Sequence, residues 1–183
     1  EMCIRDRSDA VLYTHAGPEI AVASTKAFLA QITAAYLLGL YLAQLNKKLF
    51  SGQIKDILAD LGAIPGKIEE ILAAKDQVKE LARSMADATS VLFLGRNVGY
   101  PVAMEGALKL KELAYIHAEG FAAGELKHGP IALIDDGQPV FVVMPSPLDR
   151  HSLHAKVVSN IQEVRARGAV SYTHLRAHET SLH

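Results

Sequence analysis

The sequence lacks the features that mark several classes of protein. It has one cysteine, Cys3, among 183 residues, so it has no internal disulfide framework and fits a reducing compartment. Its formal net charge is −1, which gives no global field for nucleic acid or for an anionic membrane. The first ten residues are charged and have no apolar core, so no secretory signal is expected. These absences favour a cytoplasmic globular protein.

Cofactor and metal motifs are also missing. The spacing from Gly95 to Gly99 fits neither the dinucleotide fingerprint nor the phosphate loop of nucleotide-binding proteins. His174 and His178 lie four residues apart, with His183 beyond, but no carboxylate or cysteine accompanies them at zinc-site spacing. No cofactor and no metal are therefore expected, and no basic-aromatic stripe indicates a nucleic-acid partner.

Residues 27–45 carry no charge and are long enough to cross a bilayer. Gln31, Thr33 and Gln44 interrupt the run, and Gly39 lies in its middle. Its many alanines suit close packing between helices, so a buried or interfacial helix is favoured over a membrane span.

Apolar spacing elsewhere predicts alternating strands and helices, which indicates an α/β fold with a doubly wound parallel sheet. Pro101 is expected at the first position of a helix, and Gly168 at the end of one. The predicted strands cover 11–13, 90–95 and 140–144; the predicted helices cover about 26–48, two or three pieces of 52–88 broken at 65–66 and 75–76, a helix from 101, and 156–167.

A charged stripe lies on the helix that begins near Pro101. Glu105, Lys109 and Glu112 are three and four residues apart and share one face, and His128 follows between glycines. A carboxylate, a cation and an imidazole close together are what proton transfer requires. The alternative is a solvated ladder of ion pairs, which most charged helix stripes are.

The run from Gly17 to Thr25 has a second candidate site. Small residues lead into Ser24 and Thr25, where free backbone N–H groups can hold hydroxyls or a phosphate. Plain helix capping by Ser24 explains the same residues equally well.

The two ends of the chain do not fit the pattern of the rest. Residues 1–7 and 170–183 resemble translated sequencing adapter, without strand alternation or a core face, and we leave them out of the fold.

Five runs make the chain similar to the isomerase half of the glutamine–fructose-6-phosphate aminotransferases. They are HAGPEIAVASTKAF at 15–28, FLGR at 93–96, EGALKLKE at 105–112, IHAE at 116–119 and GELKHGP at 124–130. That family's isomerase half consists of two sugar-isomerase (SIS) subdomains. The resemblance implies the end of a first subdomain at 8–50, a helical linker at 51–88 and a truncated second subdomain at 89–169.

The resemblance also implies roles for five residues. Glu112 would move a proton between C1 and C2 of the sugar, and Lys109 would stabilise the enolic intermediate. His128 would assist ring opening and reach the site of a neighbouring subunit in a homodimer. Val22 and Ser24 would line the sugar pocket.

Parts of the family's machinery are expected to lie outside the chain. The glutaminase domain is absent, and Cys3 is not its nucleophile; the phosphate loop would precede residue 8, and the Schiff-base lysine would follow residue 169. The resemblance thus implies an interior fragment of an enzyme that makes glucosamine 6-phosphate from fructose 6-phosphate and glutamine, inactive alone. The alternative is a regulatory SIS module that binds a phosphosugar without catalysis.

Overall fold

The structure is a computed structural model that describes residues 7–147 and 152–173. It contains two compact units, Glu1–Ala73 and Ala74–His183. The division between them falls inside the predicted linker at 51–88.

The N-terminal unit is helical in its described part. Its helices are α1 (Lys26–Leu45), α2 (Ser51–Gly62) and α3 (Ile64–Ala73). Residues 8–20 form neither helix nor strand, so the strand predicted at 11–13 is wrong. A strand needs a partner for its backbone groups, and the described part of this unit contains no other strand.

Helix α1 keeps most of its apolar side chains at the surface of its unit, where only Leu40 is buried. The expectation of a buried helix is therefore wrong within this chain, and an interfacial role stays a prediction. By length and composition alone, α1 is one helix of the described residues that could cross a membrane. Its exposed large apolar residues are Leu29, Ile32, Tyr36, Leu37, Leu38, Tyr41, Leu42 and Leu45.

The predicted helical stretch at 52–88 forms three helices. After α2 and α3 comes α4 (Lys75–Ser84), which belongs to the C-terminal unit. The breaks fall at Ala63 and Ala74, within two residues of the predicted positions. Leu81 and Met85 pack against the core of the C-terminal unit.

The C-terminal unit is built around a parallel sheet of four strands in the order β2-β1-β3-β4. The predicted strands at 90–95 and 140–144 are confirmed as β1 and β3. The strands are β1 (Ser90–Gly95), β2 (His117–Ala122), β3 (Pro139–Val143) and β4 (Val170–Thr173), and the helices are α5 (Gly99–Ala114) and α6 (His154–Arg165).

The apolar core of this unit lies on both faces of the sheet. Leu92 and Leu94 of β1 face one cluster, whereas Val91 faces another. Since β1 is central and shielded on both sides, its apolar residues run almost without interruption, as in other buried parallel strands. Val157, Ile161 and Val164 of α6 are buried, as their spacing predicted.

Helix α5 differs from its prediction at both ends. It begins at Gly99, so Pro101 is its third residue rather than its first, and it ends at Ala114 with Tyr115 in the left-handed conformation. Strand β2 follows at once and was not predicted. Its sequence has a glycine where α5 approaches closely: a Cβ on Gly120 would lie 2.8 Å from the Cα of Met104.

The sheet of the C-terminal unit includes four residues beyond residue 169, where the resemblance placed the end of the second subdomain. Residues 170–173 form β4, which pairs with β3 from Pro139↔Val170 to Val142↔Thr173. The ring of Tyr172 lies 5.4 Å from that of Phe141, centroid to centroid. Residues 1–6 and 174–183, which the sequence analysis also set aside, lie outside the described residues.

The segment at 124–130 lies in two short 3-10 helices, Ala123–His128 and Pro130–Leu133, which Gly129 separates. Leu126 is fully buried, which fixes the first of them against the core. Gly129 separates the two helices with φ of +148°, a conformation that L side chains rarely adopt.

Candidate functional site

Helix α5 places three charged side chains on one face. Ala103 and Ala107 bury the opposite side of the helix against the sheet. The side chains of Glu105, Lys109 and Glu112 are only 22 %, 21 % and 30 % exposed. They therefore lie in a partly shielded position, which differs from the solvated ladder that the alternative reading requires.

Lys109 is in contact with both carboxylates. Its Nζ lies 2.5 Å from Oε2 of Glu112, to which it donates a hydrogen bond, and 3.4 Å from Oε1 of Glu105. The bond to Glu112, assisted by the charge of Glu105, raises the pKa of Lys109 above its ordinary value of 10.5 against the opposing effect of burial. Lys109 is therefore a fixed cation throughout the neutral range.

His128 lies at the end of the first 3-10 helix and is paired with Glu125. Its Nδ1 is 2.7 Å from Oε2 of Glu125, three residues earlier. The His128 side chain is 73 % exposed, so the imidazole is accessible from solvent. No role was predicted for Glu125; its i, i+3 spacing from His128 was the signal for their contact.

Val22 and Ser24 belong to the N-terminal unit, in the segment just before α1. Val22 is 93 % exposed, whereas Ala23 is fully buried and Ser24 is half-buried. The helix begins after Thr25, whose side chain makes no capping hydrogen bond. Instead, the backbone N–H groups of Thr25 and Ala27 donate to Oε2 of Glu19, each over 3.3 Å. The capping role offered for Ser24 therefore belongs to Glu19, which sequence reasoning missed.

Arg96 and Asn160 of the C-terminal unit form a hydrogen bond, and neither residue had a predicted role. Arg96 directly follows β1, and its Nε donates to Oδ1 of Asn160 on α6 over 3.3 Å. Arg96 was quoted as part of the FLGR run, and its place at the carboxyl end of a buried strand was the available signal.

No group of three His, Cys, Asp or Glu residues that could hold a metal ion occurs in the part of the chain that the structure describes. The histidines 174, 178 and 183 considered for zinc lie outside that part. The contacts of the α5 triplet offer acid–base and charge chemistry: a carboxylate that accepts a proton and an adjacent ammonium that stabilises a developing oxyanion.

Comparison with known proteins shows which proteins the chain resembles. The sequence profile of the SIS domain matches residues 84–172. The chain is 74 % identical over 165 residues to a glutamine–fructose-6-phosphate aminotransferase (isomerizing) of Corynebacterium diphtheriae, and 73 % identical over 164 residues to that of Corynebacterium efficiens. Each match covers 90 % of this chain but 26 % of the relative. The chain thus spans about a quarter of the length of these relatives.

A solved structure agrees with the sequence matches. The C-terminal domain of glucosamine-fructose-6-phosphate aminotransferase from Francisella tularensis superposes with a TM-score of 0.81 at 42 % identity. That match covers 86 % of this chain and 43 % of the solved chain. Residues 84–172 thus match the SIS domain, and the chain is similar in sequence to part of the glutamine–fructose-6-phosphate aminotransferases.

Proposed function

We propose that the whole protein is a glutamine–fructose-6-phosphate aminotransferase (isomerizing), and that this chain supplies part of its isomerase domain. The enzyme would convert fructose 6-phosphate and glutamine into glucosamine 6-phosphate and glutamate. Identity above 70 % over 90 % of the chain supports this assignment, because the matched region includes all five candidate site residues of the resemblance.

The observation that carries the proposal is the contact of Lys109 with Glu112 and Glu105 on a half-buried helix face. A solvated ion-pair ladder needs no shielding from water, whereas proton transfer from carbon benefits from it, since electrostatic interactions strengthen as water is excluded. The triplet combines that shielding with both charges that the chemistry requires.

In the proposed reaction, Glu112 removes the proton at C1 of the open-chain ketose and returns it at C2. Negative charge develops on the oxygen at C2 as the enolic intermediate forms. Lys109 stabilises that charge, and its raised pKa keeps it protonated while it does so. Glu105, the second carboxylate on Lys109, acts as a positioning residue that holds the ammonium in place.

His128 has a separate proposed role in opening the sugar ring. The exposure of its imidazole leaves it accessible to a second subunit. We place it in the site of the neighbouring subunit of a homodimer. Val22 and Ser24 would line the sugar pocket, and Ser24 is not engaged in capping α1.

The remaining components would come from elsewhere in the full-length protein. The proposal assigns release of ammonia from glutamine to a glutaminase domain of the same parent chain, and a cytoplasmic location to the enzyme. The 183-residue chain alone is expected to lack both aminotransferase and isomerase activity.

The test uses a full-length protein that carries this segment. Glu112→Gln keeps the shape of the side chain but removes the base, so isomerisation of fructose 6-phosphate should fall by at least about a hundredfold while sugar-phosphate binding persists. The matched control is Glu70→Gln, an exposed carboxylate of α3, which should leave the rate unchanged.

Two outcomes would contradict the proposal. If Glu112→Gln retains the wild-type rate, Glu112 is not the base. If the unmodified full-length protein binds fructose 6-phosphate but turns it over at no measurable rate, the regulatory SIS module is the better description.

A further inference from the structure

A polar cleft in the C-terminal unit lies outside the α5 triplet. It encloses about 240 Å³ and is lined mainly by Arg96, Lys127, Lys156, Ser159, Asn160 and Glu163. None of these six residues has a role in the proposed isomerisation.

The position of the cleft follows from the order of the strands. Arg96 directly follows β1, Lys127 lies in the 3-10 helix after β2, and α6 follows β3. The cleft is therefore at the carboxyl ends of the parallel strands. In the sheet, β2 lies beside β1 at one edge and β4 lies beside β3 at the other edge. The connections after β1 and after β3 therefore run in opposite directions, and the strand order reverses between these two strands. Doubly wound sheets bind ligands at this crevice.

Asn160 organises the floor of the cleft. It is only 5 % exposed, and it is the polar side chain that the described residues bury most completely. Its Oδ1 accepts a hydrogen bond from Nε of Arg96, and its Nδ2 donates to Oε2 of Glu163, each over 3.3 Å. Both ends of a buried amide are thus used to hold charged neighbours in fixed places.

Arg96 keeps most of its hydrogen-bonding capacity. Within residues 7–147 and 152–173, its guanidinium pairs with no carboxylate, and its recorded bond uses Nε alone. A Cβ on Gly124 would lie 3.4 Å from Nη2 and 3.6 Å from Cζ, so the guanidinium lies against a residue without a side chain. A guanidinium held in this way can present its Nη groups to two oxygens of one anion.

The cleft has more positive than negative charge. Glu163 is paired with Lys127 over 3.1 Å. Arg96 and Lys156 then remain without a carboxylate partner in the described part of the chain. An arrangement that served only to join the 3-10 helix to α6 would need the Lys127–Glu163 pair alone. Two further cations converging on the same cleft indicate a ligand of opposite charge.

We propose that this cleft is a binding site for the phosphate group of a small phosphorylated metabolite, separate from the isomerase site. Arg96 and Lys156 contact the phosphate oxygens, and Asn160 positions Arg96. A cleft of about 240 Å³ has room for a phosphate with a few attached carbons.

The experiment titrates the ¹⁵N-labelled 183-residue chain with inorganic phosphate and, in parallel, with glucose 6-phosphate, at constant ionic strength set with chloride. Saturable amide shifts are expected at Gly124, Ser159 and Asn160. Arg96→Gln and Lys156→Gln should each raise the dissociation constant by about tenfold, the usual effect of losing a charge-assisted bond. Lys111→Gln, an exposed lysine of α5 outside the cleft, should change it by less than about twofold.

Tighter binding of glucose 6-phosphate would assign a phosphate monoester, and tighter binding of inorganic phosphate would assign the free anion. Shifts that do not saturate, that map elsewhere, or that Lys156→Gln leaves intact would overturn the proposal. Lys156 is exposed and unpaired in the described structure, so this variant decides the matter even if Arg96→Gln fails to fold. Glu112→Gln should leave phosphate binding unchanged, which separates this site from the proposed isomerase.

Discussion

The ammonium of Lys109 lies 2.5 Å from the Glu112 carboxylate, one helical turn away on α5. The proposed base and the proposed stabilising cation are therefore in contact before any sugar is present. Because Glu105 holds the same ammonium from the other side over 3.4 Å, Lys109 is restrained between two carboxylates. This restraint has a consequence for stability that can be measured without substrate.

Removal of the Lys109 charge should destabilise the chain in a pH-dependent way. The folded-state pKa of Lys109 is raised above 10.5 by Glu112 and Glu105. The stabilising contribution is therefore fully present below pH 10.5 and is lost as pH rises through the folded pKa. Thermal unfolding of wild type and Lys109→Gln should differ at neutral pH and converge in strongly alkaline solution.

Lys111→Gln is the matched control for this measurement, because Lys111 is on the same helix and makes no ion pair in the described residues. Its difference from wild type should be small and should not change with pH in the same way. A Lys109→Gln difference that stays constant across the alkaline range would show that the ion pairs contribute nothing and that only packing was lost.

The strands and helices that the sequence predicted correctly are those in which the local pattern of apolar residues is enough to indicate the structure. β1 and β3 have unbroken apolar runs, and α6 has buried residues at helical spacing, so local pattern and tertiary role agree. β2 was not predicted, and β4 lies in the segment that was set aside from residue 170 onward, because the stability of both strands comes from their partners. The HAEGFA sequence of β2 has little strand propensity, but it pairs with β1 along its whole length.

The same distinction applies to the candidate site. The contact of Lys109 with Glu105 and Glu112 follows from helical spacing and was predictable. The bond of Arg96 to Asn160 joins residues 64 positions apart. No local pattern indicates such a pair, so the cleft they organise became visible only with the sheet order.

Glu19 should be the residue on which the start of α1 depends. Its carboxylate accepts from the N–H groups of Thr25 and Ala27 and lies at the positive end of the helix dipole. Glu19→Ala is expected to cost about 1 kcal/mol of helix stability. Amide hydrogen exchange in the first turn of α1 would measure the loss.

Thr25→Ala tests the same end of the helix without touching that carboxylate. Since the Thr25 side chain makes no capping bond, exchange in the first turn should change by only a few tenths of a kcal/mol. If Thr25→Ala proved as damaging as Glu19→Ala, capping by Glu19 would be the wrong explanation.

Tyr172 tests whether the end of the chain belongs to the fold. Its ring packs on Phe141, which in turn stacks on Phe93 with centroids 4.9 Å apart. Tyr172→Ala removes the outer member of this row and leaves Phe141 partly uncovered, so it should destabilise the C-terminal unit by about 2 kcal/mol. Chemical denaturation followed by far-UV circular dichroism would measure the change.

Tyr172→Phe is the control because it keeps the ring and removes only the hydroxyl. It should remain within about 0.5 kcal/mol of wild type. Together, Tyr172→Ala and Tyr172→Phe separate the contribution of ring packing to stability from that of the Tyr172 hydroxyl. If Tyr172→Ala were as stable as wild type, β4 would contribute nothing, and the boundary drawn from sequence at residue 169 would be the right one. A loss of stability in Tyr172→Ala but not in Tyr172→Phe would instead show that β4 is part of the fold, although the sequence pattern favoured leaving residues 170–183 out.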